Sequence, residues 1–184
     1  MDSNLLIVYL SALLIILGST SWFLVRQILK TRKLEMSLER LENKLTTEKG
    51  TGQEYYELAS IYVDKKLYSQ AIVLFQKALK AKDLEGEENL AAIYNALGFA
   101  HFGQEQYDIA IRQYKEALKL QPEYVTSLNN LGHAYERKKL TAQALEIYEQ
   151  ALACDPDNAT AKGRVESLRK RLVIYIACNT GAQL

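Results

Sequence analysis

The groups available for covalent, acid–base or metal chemistry are few and scattered. Two histidines, His101 and His133, and two cysteines, Cys154 and Cys178, stand far apart among 184 residues. Neither HExxH nor CxxC spacing occurs, so no zinc, redox or disulfide framework is expected. Gly50, Gly52, Gly98 and Gly103 lack the strand–loop–helix context of a phosphate cradle. The 22 acidic residues fall at helical spacing beside the 23 lysines and arginines, as on solvated helix faces with weak ion pairs. A formal net charge of +1 provides no field for nucleic acid. The expectation is a chain that is not an enzyme and holds no cofactor, metal or nucleic acid. The chemistry left to it is non-covalent recognition by amides and aromatic rings.

Recognition of that kind needs a scaffold, and the scaffold is written as an internal period. Gly98 recurs as Gly132, 34 residues later. At the same interval Leu97 recurs as Leu131, Asn95 as Asn129, Ala110 as Ala144, Tyr114 as Tyr148, Ala117 as Ala151 and Pro122 as Pro156. A period of this length marks a repeat array. The units run over 91–124 and 125–158. A looser first unit, 52–85, aligns through Leu58, Ala59, Ala71, Phe75 and Ala78 at an offset of 39. Five extra residues, 86–90, then separate the first unit from the second and are expected to lengthen the loop there.

Each unit reads as two antiparallel helices. In the third, Leu128, Leu131 and Tyr135 mark one helix face, and Ala144, Tyr148 and Ala151 mark the other, at spacings of three and four. Gly132 and Ala144 are small where two helix axes come close, and Pro156 stops the second helix. His101, at the place of Tyr62 and Tyr135, is expected to be a packed, satisfied imidazole. A further helix over 159–172 puts Lys162, Glu166 and Arg169 where Leu128, Gly132 and Tyr135 stood, which suits a polar-faced cap. Its Lys162, Arg164, Arg169, Lys170 and Arg171 read as a solvated face, with anionic lipid or an acidic partner as the alternative. The apolar tail at 173–184 is left unassigned.

These residues resemble the tetratricopeptide repeat over 52–172, with Ala59 where glycine is usual and Asp83 where proline is usual. The resemblance implies stacked helix hairpins whose first helices line a concave, protein-binding surface. It implies Tyr56 and Ser60 from the first unit, Asn95, Phe99 and Phe102 from the second, and Asn129, His133 and Arg137 from the third. The asparagines would pair with a partner's backbone amides. The phenylalanines would be apolar anchors, with packing between units as their alternative role. Some members of the family clamp a partner's C-terminal carboxylate with cations. Here Gln53, Tyr56, Glu57 and Ser60, and likewise Thr126, Asn129, Asn130 and His133, include no lysine or arginine, which disfavours that mode.

Ahead of the repeats, residues 5–25 include no charge over 21 positions. As a helix they reach about 32 Å, the thickness of a bilayer core, and Trp22 stands near the end where an indole anchors at the interface. A cleaved secretory signal is the competing reading. The absence of a basic residue before the apolar core and the length of that core oppose it, while Ser19–Ser21 leaves it open. Arg26, Lys30, Arg32 and Lys33 follow the span, which places the repeats on the side of synthesis. In residues 26–49, Leu34, Leu38, Leu41 and Leu45 form one stripe on a stiff, charged, amphipathic connector helix expected to lie on the membrane surface or on the first repeat. Weak self-association through that stripe is its alternative use, and 46–52 breaks the helix.

The expected architecture is all-α: a transmembrane helix (1–25), a charged connector helix (26–49), and a three-repeat solenoid with a C-terminal capping helix (52–172). This layout resembles the small thylakoid family of plastid and cyanobacterial genomes that assists photosystem I assembly. The resemblance implies a single-pass protein with its repeats in the stroma or cytosol, holding subunits or assembly factors of a membrane complex. The rival readings are a bacterial-type anchored scaffold for envelope or secretion machinery and, were the first segment cleaved, a secreted binding module.

Overall fold

The computed structural model describes residues 3–81, 83–84 and 86–181, with the side chains of 3–8 and 174–181 outside that description. Its described residues form eight helices and no strand. The all-helical class is therefore as expected. The chain divides into two compact units, meeting between Lys49 and Gly50.

The first unit is α1, Ser3–Thr47, one uninterrupted helix of 45 residues. Anchor and connector were expected as separate elements, yet no break falls at residue 25. The reason is local: from Arg26 to Leu45 the sequence is rich in good helix formers and has neither glycine nor proline. Its apolar part has a mean hydropathy of 1.6 and no buried portion. Leu13, Leu14, Ile15 and Trp22 are all more than half exposed. The Ser19 and Thr20 hydroxyls donate to the carbonyls of Ile16 (2.9 Å) and Leu17 (3.0 Å), which satisfies them inside their own helix.

The second unit stacks helix hairpins: α2 (Gly52–Asp64) with α3 (Tyr68–Lys80), α4 (Glu87–Gly103) with α5 (Tyr107–Leu120), and α6 (Val125–Arg137) with α7 (Thr141–Cys154), followed by α8 (Ala159–Gly181). The period seen in side chains recurs in the backbone. Lys66, Glu105 and Lys139 adopt left-handed φ values of 60°, 61° and 62° at the three intra-hairpin turns. The next N–H donates back to Tyr62, His101 and Tyr135 at 2.8, 3.0 and 2.9 Å, closing the same C-terminal cap each time. His101 thus holds the tyrosine position. It is buried, with Nδ1 2.7 Å from Gln106 Oε1, the packing role expected of it.

Phe75, Tyr114 and Tyr148 occupy one register position in the three hairpins, all essentially inaccessible, each among buried alanines of its helix. A Cβ built on Gly132 would lie 2.8 Å from Cε1 and Cζ of Tyr148, and one on Gly98 2.7 Å from the Tyr114 ring. The recurring glycine is there because an aromatic ring occupies the space a side chain would need.

Two junction details differ from expectation or extend it. The five residues at 86–90 do not lengthen a loop. α4 has 17 residues where α2 and α6 have 13, so most of the insert is an added helical turn. Gly86 (φ 97°) starts it, and Glu87 and Glu88 favour the positive end of the helix dipole. Asp83, in proline's place, accepts the Gly52 N–H with both carboxylate oxygens (2.9 and 3.1 Å) at the start of α2. Glu85, the expected end of the first unit, lies outside the described residues.

The cap α8 buries Ala161, Val165 and Leu168. Its cations Lys162, Arg164, Arg169, Lys170 and Arg171 are all exposed, the solvated face expected of them, and Lys162, Arg164, Arg169 and Arg171 also make ion pairs. Glu136, only 10 % exposed, receives Arg171 (3.1 Å), Arg164 (3.7 Å) and the Tyr148 hydroxyl (2.9 Å). Arg169 meets Glu149 at 2.6 Å and Lys162 meets Asp157 at 3.5 Å. The helix was expected to stop at 172 but continues to Gly181, taking in most of the apolar tail; residues 182–184 lie outside the described residues. Cys154 is an exposed free thiol.

Candidate functional site

Hairpin stacking turns one side of α2, α4 and α6 toward a common trough, because equivalent residues recur at the same helical phase in each unit. Two adjoining clefts form it. The first, about 320 Å³, is lined by Ser60, Val63 and Asp64 of α2, Asn95 and Phe99 of α4, and Thr126 and Asn130 of α6. The second, about 370 Å³, is lined by Phe99, Phe102, Tyr107, Asn130, His133 and Arg137, with Glu105 and Tyr68 at its rim. Phe99 and Asn130 belong to both, so the clefts are continuous and Phe99 stands between them. At 42 % exposure, Phe99 is more open than a core phenylalanine.

The second cleft is an aromatic assembly. Phe102 packs edge-on to Tyr107 (centroids 5.3 Å apart) and tilted against His133 (4.9 Å). The Arg137 guanidinium lies over Tyr107 at 4.9 Å and over Phe102 at 5.8 Å, and its Nη2 is 3.7 Å from Glu105. These contacts fix a flexible cation by ring stacking and by charge. The Tyr107 hydroxyl is buried with no partner among the described residues.

Of the eight residues expected from the sequence, Ser60, Asn95, Phe99, Phe102, His133 and Arg137 line the clefts. Tyr56 lines neither: half-buried, it packs its ring on Phe75 at 5.8 Å. Asn129 lines neither as well. Its Nδ2 donates to Asn158 Oδ1 (3.3 Å), the side chain that also caps α8 through the Ala161 N–H (2.9 Å), so Asn129 ties the last repeat to the cap. The trough is reached instead by Asn130, one residue and about 100° further round the helix. Asn130 Nδ2 donates to Asn95 Oδ1 at 3.0 Å, so the Asn95 amide, expected to await a partner's backbone, is already engaged by a neighbouring repeat. Asp64 and Tyr107 were missed, and Asn130 was considered only among the residues weighed against a carboxylate clamp. Asp64 was legible, because its offset of 39 plus 34 leads to Arg137.

The His133 imidazole is held below its ordinary value of 6.5, first by burial and then by Arg164, with a smaller push from Arg137, while Glu136 opposes them. Folding therefore favours the neutral ring. The stability contributed by that preference is complete above pH 6.5 and is lost as pH falls through the lowered folded value. Urea midpoints of the wild-type chain are expected to fall between pH 7 and pH 5, and His133→Gln to remove part of the fall. An identical pH profile in the variant would contradict this role.

Two tetratricopeptide repeat family models match, one over residues 53–123 and the other over residues 95–159. A ycf37 protein of Cyanophora paradoxa, itself described as uncharacterized, is 39 % identical over 95 % of this chain and all of that one. The tetratricopeptide repeat domain-containing protein PYG7, chloroplastic, of Arabidopsis thaliana is 36 % identical over 91 % of this chain, which spans 55 % of that protein. Among solved structures, the hetero-tetramer Cut9–Hcn1 of the APC/C matches with a TM-score of 0.69 at 24 % identity, over 79 % of this chain and 29 % of that one, a likeness of fold.

Proposed function

The chain belongs to the tetratricopeptide repeat family, together with the ycf37 proteins and PYG7, and on that premise we propose that it is a membrane-anchored, non-enzymatic scaffold that assists assembly of photosystem I. The repeats grip a subunit or a second assembly factor in the trough. α1 crosses the thylakoid membrane once and keeps the repeats on the stromal or cytosolic side.

The observation that carries this reading is the pairing, in one chain, of an open aromatic trough with a helix whose apolar stretch has no protein cover. An apolar helical surface of that length is costly in water and cheap in a bilayer core. The basic residues Arg26, Lys30, Arg32 and Lys33 follow the apolar stretch, which favours retention of the repeats on the side of synthesis. The chloroplast relative and the layout favour the thylakoid. Tethering supplies effective concentration at the membrane surface, so contacts in the trough stay weak enough to release a finished complex.

Carbonate-washed thylakoids should retain the chain, and protease added from the stromal side should digest the repeats. Deleting the chain should lower photosystem I relative to photosystem II, and an unchanged ratio would contradict the assembly role. Within the trough, Phe99→Ala should weaken capture of the partner about tenfold with little change in melting temperature, since a half-exposed aromatic contributes more to binding than to the core. A loss of stability as large as that of a core substitution would make Phe99 a packing residue instead.

A further inference from the structure

The two clefts are unlike in charge. The charged residues lining them are Asp64 in the first and Glu105 and Arg137 in the second. Arg137 is already engaged by Glu105 and by two aromatic rings, so the pair contributes no net charge to the trough. His133 is neutral near pH 7, for the burial and cationic neighbours described above. Asp64 is exposed, and no described residue pairs with its side chain. It stands beside Val63, with Phe75 and Phe99 lining the same cleft, so an unpaired anion and an apolar surface share one recess.

We infer that the trough selects a partner segment with a lysine or arginine next to a large apolar side chain, the cation facing Asp64 and the apolar group seated against Phe99. This inference rests on the trough being the partner site. The opposite arrangement, an acidic segment held by Arg137, would have to displace Glu105 and would leave Asp64 facing a carboxylate. Adding one cation to the trough compensates the one charge left unpaired among its described lining residues, an attraction that is modest because Asp64 is exposed.

The test uses the full-length chain in lipid nanodiscs and two fluorescent, end-blocked hexapeptides, Gly-Lys-Phe-Ser-Phe-Gly and the same peptide with glutamate for lysine. At about 50 mM salt the lysine peptide should bind three- to tenfold tighter than the glutamate peptide, and the difference should shrink at about 0.5 M salt. Asp64→Asn should abolish the preference and Asp64→Lys should reverse it, while Phe99→Ala should weaken both peptides equally. Equal binding of the two peptides, or a preference for glutamate, with Phe99→Ala still weakening both, overturns the cation inference and leaves the trough as the partner site. Failure of both peptides to bind at millimolar concentration, or binding that ignores Phe99→Ala, overturns the inference and the trough together. Asp64 is an exposed residue at the end of α2, so the folded state of each variant is checked by its melting temperature.

Discussion

Gly132→Leu is expected to destabilise the repeat unit by about 2–4 kcal/mol, melting the third hairpin and α8 together. The added side chain has no room: even its Cβ would lie 2.8 Å from the Tyr148 ring, which is 1 % exposed and cannot swing into solvent. Relief requires the helices α6 and α7 to separate, and overpacking of this kind commonly costs about 1–3 kcal/mol, more when backbone must move. The damage spreads because Tyr148 is also a hydrogen-bond donor to Glu136, on which Arg164 and Arg171 of the cap converge. Array stability is a sum over units and neighbouring interfaces, so losing the last interface releases the terminal helix as well. Gly132→Ala should be milder, because alanine's gain of about 1 kcal/mol in helix propensity offsets part of the clash. Urea unfolding followed by near-ultraviolet tyrosine dichroism reads both variants. A leucine variant within about 0.5 kcal/mol of wild type would contradict the close-packed reading of the period.

The double substitution Leu14→Arg with Ile15→Arg is expected to move the chain from the carbonate-washed membrane pellet to the supernatant, with the repeats still folded. Both side chains are about 70 % exposed in the middle of the uncharged stretch, and neither supports the protein's own packing. An arginine near the centre of a spanning helix costs about 2.5–3.5 kcal/mol, so the pair costs about 5–7 kcal/mol, or roughly four to five powers of ten in partitioning. A conservative pair, Leu14→Ile with Ile15→Leu, should stay in the pellet. Retention of the arginine variant would mean that something other than burial of α1 in lipid holds the protein there.

The hairpins were legible because each glycine–aromatic contact is encoded twice, by Gly98 with Tyr114 and by Gly132 with Tyr148, at one fixed interval. The turns were not foreseen in detail: Lys66, Glu105 and Lys139 take the left-handed conformation with side chains that carry no turn signal of their own. The loop expected at 86–90 became helix because spacing between aligned units measures only chain length, and helix formers such as Glu87, Glu88, Leu90 and Ala91 use that length as an extra turn. In the trough, the family resemblance led to Phe99, His133 and Arg137. It failed between Asn129 and Asn130, where adjacent identical residues differ only by rotation about the axis, and the choice is made by Asn158 and Asn95 from elsewhere in the fold. The basic face of the cap is exposed, as its sequence suggested; its pairing with Glu136 through Arg164 and Arg171 was not legible, since that carboxylate is about a period away in sequence.

The most direct test of a tethered grip is photocrosslinking in intact thylakoids, with benzoylphenylalanine in place of Phe99 and, as control, in place of Val73, an exposed residue of α3 that lines neither cleft. The position 99 probe should form adducts with a photosystem I subunit or assembly factor while the complex is being built, and the position 73 probe should not. Equal labelling from both positions, or none from position 99 during active assembly, would contradict the account.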